Sequence, residues 1–260
     1  MKIGIIGCGN LGVSLLKGIS AANPTAKLIA SRRNIGALDP KLSEIAEITS
    51  DNHLVIQQSD IIILALKPYT ILSFLEEHAS LFNADQHTIV SVATGVPIDE
   101  ITERIPSGVG VYRAMPNTAS SVNESVTMVS GADDVLNRKG DIEQIFTSLG
   151  EVIFINENLM ESATILGACG IAYVLRFMRA MIQGGIEVGF DAGTATKIVA
   201  QTMKGAAELV IQNQSHPEME IDKVTTPKGC TIVGLNEMEH AGFSSALIKG
   251  IVASYQKIER

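Results

Sequence analysis

The chain has 260 residues and a formal net charge of −8, with 46% hydrophobic and 18% charged residues. This composition excludes intrinsic disorder, which requires low hydrophobicity and high charge. The length suits one large domain or two modest ones. The acidic balance argues against nucleic-acid binding, because a phosphate polymer is attracted by a basic field.

The chain contains no run of about 20 consecutive apolar residues, the length needed to span a bilayer. The most apolar segment, residues 161–176, is shorter. Lys2 is followed by a short strand-like run rather than by a signal-peptide core. We therefore expect a cytoplasmic protein without a membrane span. Cys8, Cys169 and Cys230 show no CxxC spacing and the histidines are scattered, so we expect reduced thiols and no metal site.

The first 155 residues alternate β-rich runs with amphipathic stretches. The predicted strands are Lys2–Gly7, Lys27–Ala30, Ile61–Leu66, Thr88–Val92, Val109–Arg113, Ser125–Val129 and Val152–Ile155. Helix starts are indicated by Asp39 before Pro40 and by Pro97 before an acidic first turn. The pattern predicts an α/β fold whose N-terminal domain, residues 1–155, is a Rossmann-type doubly wound, mostly parallel sheet.

From about Asn156 onward the strand-like runs disappear, and residues 156–260 read as nearly continuous helix. We interpret them as a C-terminal all-helical domain. Its segment Ala163–Gly189 intersperses glycines among large apolar residues. Ordinary helix packing within the chain is one explanation, and burial of an apolar helix by a second subunit is the other. We expect a homodimer through these helices, with a decamer as the larger alternative.

A glycine-rich loop directly follows the first strand. It reads Gly7, Cys8, Gly9, Asn10, Leu11 and Gly12 and precedes an amphipathic stretch. In this position the GxGxxG spacing is typical of dinucleotide binding. The first glycine permits a tight turn, the second lets the backbone approach a pyrophosphate, and the third allows close packing of helix on strand.

The end of the second strand discriminates between the two nicotinamide dinucleotides. An NAD enzyme usually carries an acidic residue there for the ribose 2′-hydroxyl. This chain instead has Ser31, Arg32 and Arg33. Because a guanidinium donates two N–H groups to a phosphate, we predict NADPH as the preferred cofactor, with NADH possible. A solvated arginine pair without cofactor contacts is the alternative.

Several segments together resemble the pyrroline-5-carboxylate reductase family. They are GCGNLG at residues 7–12, Asn52, ALKP at 65–68, ATG at 93–95, RAMPN at 113–117, and the segment DKVTTPKGCT at 222–231 followed by Gly234 and Leu235. The last segment is similar to the family's substrate loop. The resemblance implies reduction of the C=N bond of 1-pyrroline-5-carboxylate to L-proline, the last step of proline biosynthesis, with an imino acid as substrate.

The resemblance also implies roles for individual residues. Thr231 would hydrogen-bond the ring nitrogen, while Thr226 and Gly229 would hold the carboxylate. Cys230 is a further candidate in this loop, since a helix N-terminus makes a thiol more nucleophilic. The cofactor candidates by resemblance are Asn52, Ala65, Lys67, Pro68 and Ala93.

Structural explanations compete with several of these roles. Thr226 could be a helix cap, Pro227 a helix starter, and Lys67 a solvent-facing lysine. Asn117 could either clasp two loops or contact substrate.

Two segments depart from the family pattern. Residues 167–173 read GACGIAY, where the family usually has Ser-Gly-Ser-Gly-Pro-Ala-Tyr, and loss of the proline is expected to straighten the helix. In the substrate loop, Lys228 and Cys230 replace a usual glycine and threonine. Lys228 adopts a positive φ less readily than glycine, yet its charge favours a carboxylate.

Two other functions compete with the reductase hypothesis. A β-hydroxyacid-type dehydrogenase also joins a Rossmann domain to helices, but residues 158–189 lack the lysine expected of that class. A non-catalytic NADP-sensing interaction protein would have no need for the threonine-rich loop.

Overall fold

The computed structural model describes residues 1–131 and 136–258. Contacts divide the chain into one unit comprising residues 1–169 and the last four residues, and a second unit comprising residues 170–256. The first unit contains an eight-stranded sheet. Its strands are β1 (Lys2–Ile6), β2 (Lys27–Ser31), β3 (Glu47–Thr49), β4 (Ile61–Leu64), β5 (Thr88–Ser91), β6 (Gly110–Met115), β7 (Ser125–Gly131) and β8 (Gly150–Phe154). The predicted domain boundary near residue 155 stays a prediction.

The strand order is β3-β2-β1-β4-β5-β6-β7-β8. Every neighbouring pair is parallel except β6 with β7, which is antiparallel. The prediction of a doubly wound, mostly parallel sheet is confirmed. The sequence pattern missed β3, because three half-exposed residues are too short to show a period. The strands β2 and β3 are added on one side of β1, and β4 and the later strands on the other. At this switch in strand order a crevice opens at the carboxyl ends of β1 and β4.

The helices of the first unit cover both faces of the sheet. They are α1 (Asn10–Ala22), α2 (Asn52–Gln58), α3 (Pro68–His78), α4 (Ile98–Thr102), α5 (Lys139–Thr147) and α6 (Met160–Ala163). Successive β1 residues bury into opposite clusters, Ile5 into one and Ile6 into the other. The apolar strands are therefore explained by burial on both faces.

Short 3₁₀ helices complete this unit. They are Ile35–Ala37, Pro40–Glu44, Ala79–Leu81, Thr118–Val122 and Glu157–Leu159. The helix predicted after Asp39 is one of these, capped by the Asp39 carboxylate through the backbone N–H of Lys41 at 3.0 Å. The predicted helix start is confirmed, but the helix is a five-residue 3₁₀ segment.

A π-helical segment, Thr164–Cys169, follows α6. The expectation that loss of the family proline straightens this helix stays a prediction, and the π segment lies just before position 171, where the family has that proline. A π segment bonds each N–H to the carbonyl five residues back instead of four, which widens the turn. The sequence carries no simple signal for such a segment.

The second unit is helical throughout. Its helices are α7 (Gly170–Glu187), α8 (Ala192–Asn213), α9 (Pro217–Val224), α10 (Cys230–His240) and α11 (Phe243–Ile258), the last of which ends beyond the unit's boundary. Asp191 caps α8 by accepting hydrogen bonds from the N–H groups of Gly193 and Thr194 at 2.9 and 3.0 Å. A hydrogen bond from the Thr194 side chain, together with these backbone bonds, lowers the pKa of Asp191 below its usual value. The predicted all-helical C-terminal region is confirmed.

One helix among the described residues, Glu157–Glu187, has the length and composition to cross a membrane, with a mean hydropathy of 1.6. Only 6% of its apolar window is buried within the chain. The search for uninterrupted apolar residues missed it because Arg176 and Arg179 break the run. Length and composition are weak evidence for a span, since apolar helices of soluble proteins share them. The predicted cytoplasmic location stays a prediction.

Candidate active site

A cleft of about 630 Å³ lies in the first unit, at the carboxyl ends of β1, β4 and β5. We call it the glycine-loop cleft. Its lining comes from Gly9–Gly12 and the adjoining face of α1, from residues 65–68, from residues 92–94, and from Thr118 and Ser121. The strand order thus brings together four segments that are distant in the sequence. A crevice at this place in an open α/β sheet is the usual ligand site.

Each of the three glycines of the loop is required, or suited to ligand binding, for a different structural reason. Gly7 has a φ of +92°, and a Cβ there would lie 2.7 Å from the carbonyl oxygen of Ala65. A Cβ on Gly12 would lie 3.0 Å from the Gly7 carbonyl oxygen. At Gly9 the nearest heavy atom to an added Cβ is 3.9 Å away, so the backbone there is open to a ligand.

The amino end of α1 has free hydrogen-bond donors. Its N-cap is Gly9, which has no side chain to accept a bond, and the first turn holds no acidic residue. The first N–H groups of a helix have no partner within it, and the helix dipole is positive at this end. An anionic group at the loop would therefore meet N–H donors and a positive potential.

The end of β2 is tied directly to the glycine loop. The carbonyl oxygen of Ser31 accepts hydrogen bonds from the N–H groups of Gly7 and Cys8, at 3.1 and 2.8 Å. The Ser31 hydroxyl donates to the side-chain oxygen of Asn52 at 2.6 Å. These bonds place Ser31 and Asn52 beside the loop, although neither lines the glycine-loop cleft itself.

The two arginines after β2 differ. Arg32 is half-buried and donates through Nη1 to the carbonyl oxygen of Cys8 at 3.3 Å. Arg33 is exposed and makes no hydrogen bond or ion pair within the part of the chain that the structure describes. Arg33 is therefore free to bind a ligand, whereas Arg32 also supports the loop.

Lys67 was also explained as a solvent-facing lysine, and Cys8 lies within the glycine loop itself. Lys67 is exposed, yet it lines the glycine-loop cleft together with Ala65, Pro68 and Ala93. Cys8 is fully buried, and this burial raises the pKa of its thiol, an effect that the nearby Arg32 partly opposes. Cys8 is thus a packing residue and not a nucleophile.

Five polar residues of the cleft were absent from the predicted site residues, and one of them, Thr94, lies within the ATG segment at 93–95. Ser14 and Lys17 extend the face of α1 that begins at Asn10, and spacing of three to four residues could have identified them. Thr118 and Ser121 belong to a short 3₁₀ helix after β6. Only the tertiary structure brings that helix to the cleft.

Asn117 clasps two backbone segments. Its side-chain oxygen accepts from the N–H of Ala119 at 2.9 Å, and its side-chain N–H group donates to the carbonyl oxygen of Gly167 at 3.1 Å. The residue is 6% exposed. Both ends of the amide are occupied, so the clasping explanation is favoured over substrate contact.

In the second unit, the loop between α9 and α10 forms a tight turn. The N–H of Gly229 donates to the carbonyl oxygen of Thr226 at 2.9 Å. Proline in the second position and Lys228 at a φ of +63° in the third are features of a type II turn. Lys228 thus adopts the positive φ that glycine adopts more readily than lysine. A Cβ on Gly229 would lie 2.9 Å from the Thr226 carbonyl oxygen, so a larger residue would have to displace the backbone of the turn.

The structural explanations for Thr226 and Pro227 are wrong. Gly229, not Thr226, is the N-cap of α10, and the helix begins at Cys230, three residues after the proline. No side chain caps α10 and its first turn contains no acidic residue. The loop therefore presents unpaired N–H donors, with the half-buried Thr231 in the first turn and Cys230 exposed.

Known proteins match nearly the whole chain. The family model described as pyrroline-5-carboxylate reductase dimerisation matches residues 157–260, and the model described as NADP oxidoreductase, coenzyme F420-dependent, matches residues 2–95. Pyrroline-5-carboxylate reductase 2 of Dictyostelium discoideum is 41% identical, and the alignment covers 98% of this chain and 91% of that protein. This chain belongs to the pyrroline-5-carboxylate reductase family.

Other relatives agree with this membership. Pyrroline-5-carboxylate reductase 1 of Dictyostelium discoideum is 40% identical over 98% of this chain, although the chain spans about half, 49%, of that protein's length. The crystal structure of Plasmodium falciparum pyrroline carboxylate reductase with NADP bound has a TM-score of 0.89 at 27% identity, covering 99% of this chain and 97% of that one. The family resemblance inferred from the motifs is confirmed.

Proposed function

We propose that this chain reduces 1-pyrroline-5-carboxylate to L-proline with NADPH. Membership of the reductase family, established over nearly the full length of a 41% identical relative, is the observation that carries this proposal. The glycine-loop cleft and the uncapped α10 loop provide two anion sites of the kind that this reaction needs, one for a dinucleotide and one for a carboxylate.

The glycine-loop cleft fits a dinucleotide. The open backbone at Gly9 and the free donors at the start of α1 suit a pyrophosphate. Arg33, with Ser31 and Arg32 beside it, follows β2, where a 2′-phosphate would bind. Arginine in place of an acidic residue at this position favours NADP over NAD. Ala65, Lys67, Pro68 and Ala93 would hold the other half of the cofactor. When bound, NADPH supplies the hydride.

The α10 loop is suited to the substrate. Its free N–H groups and the charge of Lys228 favour a carboxylate, which Thr226 and Gly229 would help to hold. The Thr231 hydroxyl would bond the ring nitrogen. The C=N carbon of the protonated imine is already electrophilic, so the residues need to position it rather than act as a strong base. Cys230 is exposed and is given no chemical step.

We also propose that the helical unit forms a homodimer. Many large apolar side chains in it are exposed, including Val188 at 77%, Ile211 at 68% and Ile248 at 60%. Exposure of so many large apolar side chains supports a contact with another subunit. The same burial would account for the apolar helix Glu157–Glu187. The decamer remains a prediction.

The activity is tested by mixing purified protein with NADPH and pyrroline-5-carboxylate and following NADPH absorbance. We expect consumption with L-proline as product. No consumption at high enzyme concentration would overturn the reductase proposal, and NADPH binding without turnover would favour the NADP-sensing alternative.

The role of Thr231 is tested with Thr231→Ala and, as the matched variant, Thr231→Ser. Loss of a hydrogen bond to a charged group should lower kcat about ten- to a hundredfold. Thr231→Ser keeps the hydroxyl and should recover most of the rate. Equal activity of the alanine variant and the wild type would contradict the role.

Cofactor preference is tested with Arg33→Gln, which leaves the Arg32 bond to the loop intact. Loss of a charge-assisted pair with the 2′-phosphate should weaken NADPH binding roughly tenfold and leave NADH binding nearly unchanged. NADH thus serves as the internal control. Equal weakening of both cofactors would argue that Arg33 does not read the 2′-phosphate.

A further inference from the structure

The clasp made by Asn117 connects the wall of the glycine-loop cleft to the π segment Thr164–Cys169. On the cleft side, the side-chain oxygen of Asn117 caps the 3₁₀ helix Thr118–Val122. Thr118 and Ser121 of this helix line the cleft. On the other side, the Asn117 amide donates to the carbonyl oxygen of Gly167, inside the π segment.

The 3₁₀ helix is also held against the cofactor-binding helix α1. The hydroxyl of Ser120 lies 2.8 Å from the hydroxyl of Ser14, and this pair is buried. Ser14 itself lines the cleft. A ligand in the glycine-loop cleft would therefore contact a helix that is held at its start by Asn117 and at its middle by Ser14 through Ser120.

The π segment is an irregular stretch of helix between α6 and α7. A π turn is a rare local insertion in an α-helix and is frequently found at functional sites. Here a side chain bonds one of its carbonyls, which is a recognised cause of local departure from the α-helical pattern. The segment also packs against β7, since a Cβ added at Gly167 would meet the side chain of Met128.

We propose that Asn117 is a positioning residue that couples occupancy of the glycine-loop cleft to the register of the π segment. This rests on the proposed function only in naming NADPH as the ligand of the cleft. Because coupling between two sites is reciprocal, stabilising the π segment strengthens cofactor binding, and cofactor binding protects the π segment. The hydrogen bond from Asn117 to the Gly167 carbonyl oxygen transmits the effect of cofactor binding to the π segment.

The test compares two variants that make the same chemical change. Asn117→Asp keeps the oxygen that caps Ala119 but loses the donor to Gly167. Asn156→Asp, the control, changes another N-cap asparagine, which is exposed and caps through its oxygen, 3.3 Å from the N–H of Asn158. Both variants add one negative charge.

The readout is amide hydrogen exchange of the full-length protein with and without NADPH, together with the NADPH dissociation constant. In the wild type and in Asn156→Asp, NADPH should slow exchange at 164–169, which lies outside the cleft lining. In Asn117→Asp this slowing should disappear while the loop at 7–12 stays protected by NADPH, and the dissociation constant should rise roughly fivefold or more.

Each result decides a different statement. NADPH binding to the wild type with no change at 164–169 would overturn the coupling, whatever the fate of the variants. Equal protection of 164–169 in Asn117→Asp and the wild type would overturn the role of Asn117. Absence of any NADPH binding to the wild type would instead overturn the cofactor assignment itself.

Discussion

Replacing Arg113 with methionine should strongly destabilise the first unit. The Arg113 side chain is 3% exposed and lies between two carboxylates, with Nη1 3.0 Å from Glu157 Oε1 and Nη2 2.8 Å from Glu161 Oε1. The Glu157 oxygen also accepts from the N–H of Ile98 at 2.7 Å. Arg113→Met removes the cation but leaves both anions close together, so the cost comes from uncompensated charge as well as from lost bonds.

The magnitude follows from burial. Removing one partner of a fully buried ion pair costs about 3–5 kcal/mol. Glu157 and Glu161 are 30% and 24% exposed, so water can solvate them in part. We therefore expect a loss of about 2–3 kcal/mol, which is a fall in Tm of roughly 5–10 °C for a protein of this size.

Two comparison variants isolate the cause. Glu161→Gln leaves Arg113 balanced by Glu157 and keeps an acceptor, so it should cost about 1 kcal/mol or less. Arg104→Met removes a more exposed arginine, 26% exposed and paired with Glu76 at 3.1 Å, and should cost less than about 1 kcal/mol.

Thermal and urea unfolding followed by circular dichroism, at one protein concentration for all variants, measures these differences. Concentration is held constant because an oligomer's apparent stability depends on it. The reasoning is refuted if Arg113→Met is within about 0.5 kcal/mol of the wild type or if Glu161→Gln is the more damaging change.

Two further predictions concern the second unit. The hydrogen bonds from Lys223, Ser215 and Asn213 lower the pKa of Glu220 from 4.5 to about 2. Their stabilisation is therefore complete above pH 4.5 and is lost as the pH falls towards 2. Glu220→Gln should reduce the fall in unfolding free energy over this pH range, and an unchanged pH dependence would contradict this. Lys228→Gly should raise stability by about 0.5–1 kcal/mol because the left-handed conformation costs lysine more than glycine. Lys228→Ala keeps the left-handed strain, so it should not gain stability. Because it also removes the charge, it should bind the substrate more weakly. Equal stability of the glycine and alanine variants would refute the strain.

The fold was largely predictable because its signals are local. Seven of the strands were identified from short β-branched runs bounded by turn residues, whereas the three-residue β3 was not. The glycine loop was recognisable since its conformation depends on residues adjacent in sequence, as the φ of +92° at Gly7 illustrates. The α10 loop was recognised by resemblance, but its Thr226–Gly229 turn and the uncapped helix end required coordinates.

The sequence by itself determined a dinucleotide-type α/β region followed by helices and placed the family motifs along them. Only the tertiary structure decided what those motifs contact. The bonds of Arg113 to Glu157 and Glu161 span 44 and 48 residues, and that of Asn117 to Gly167 spans 50. Periodicity and turn chemistry act over a few residues, while pairing at such separations depends on how the sheet and helices pack, which no local pattern records.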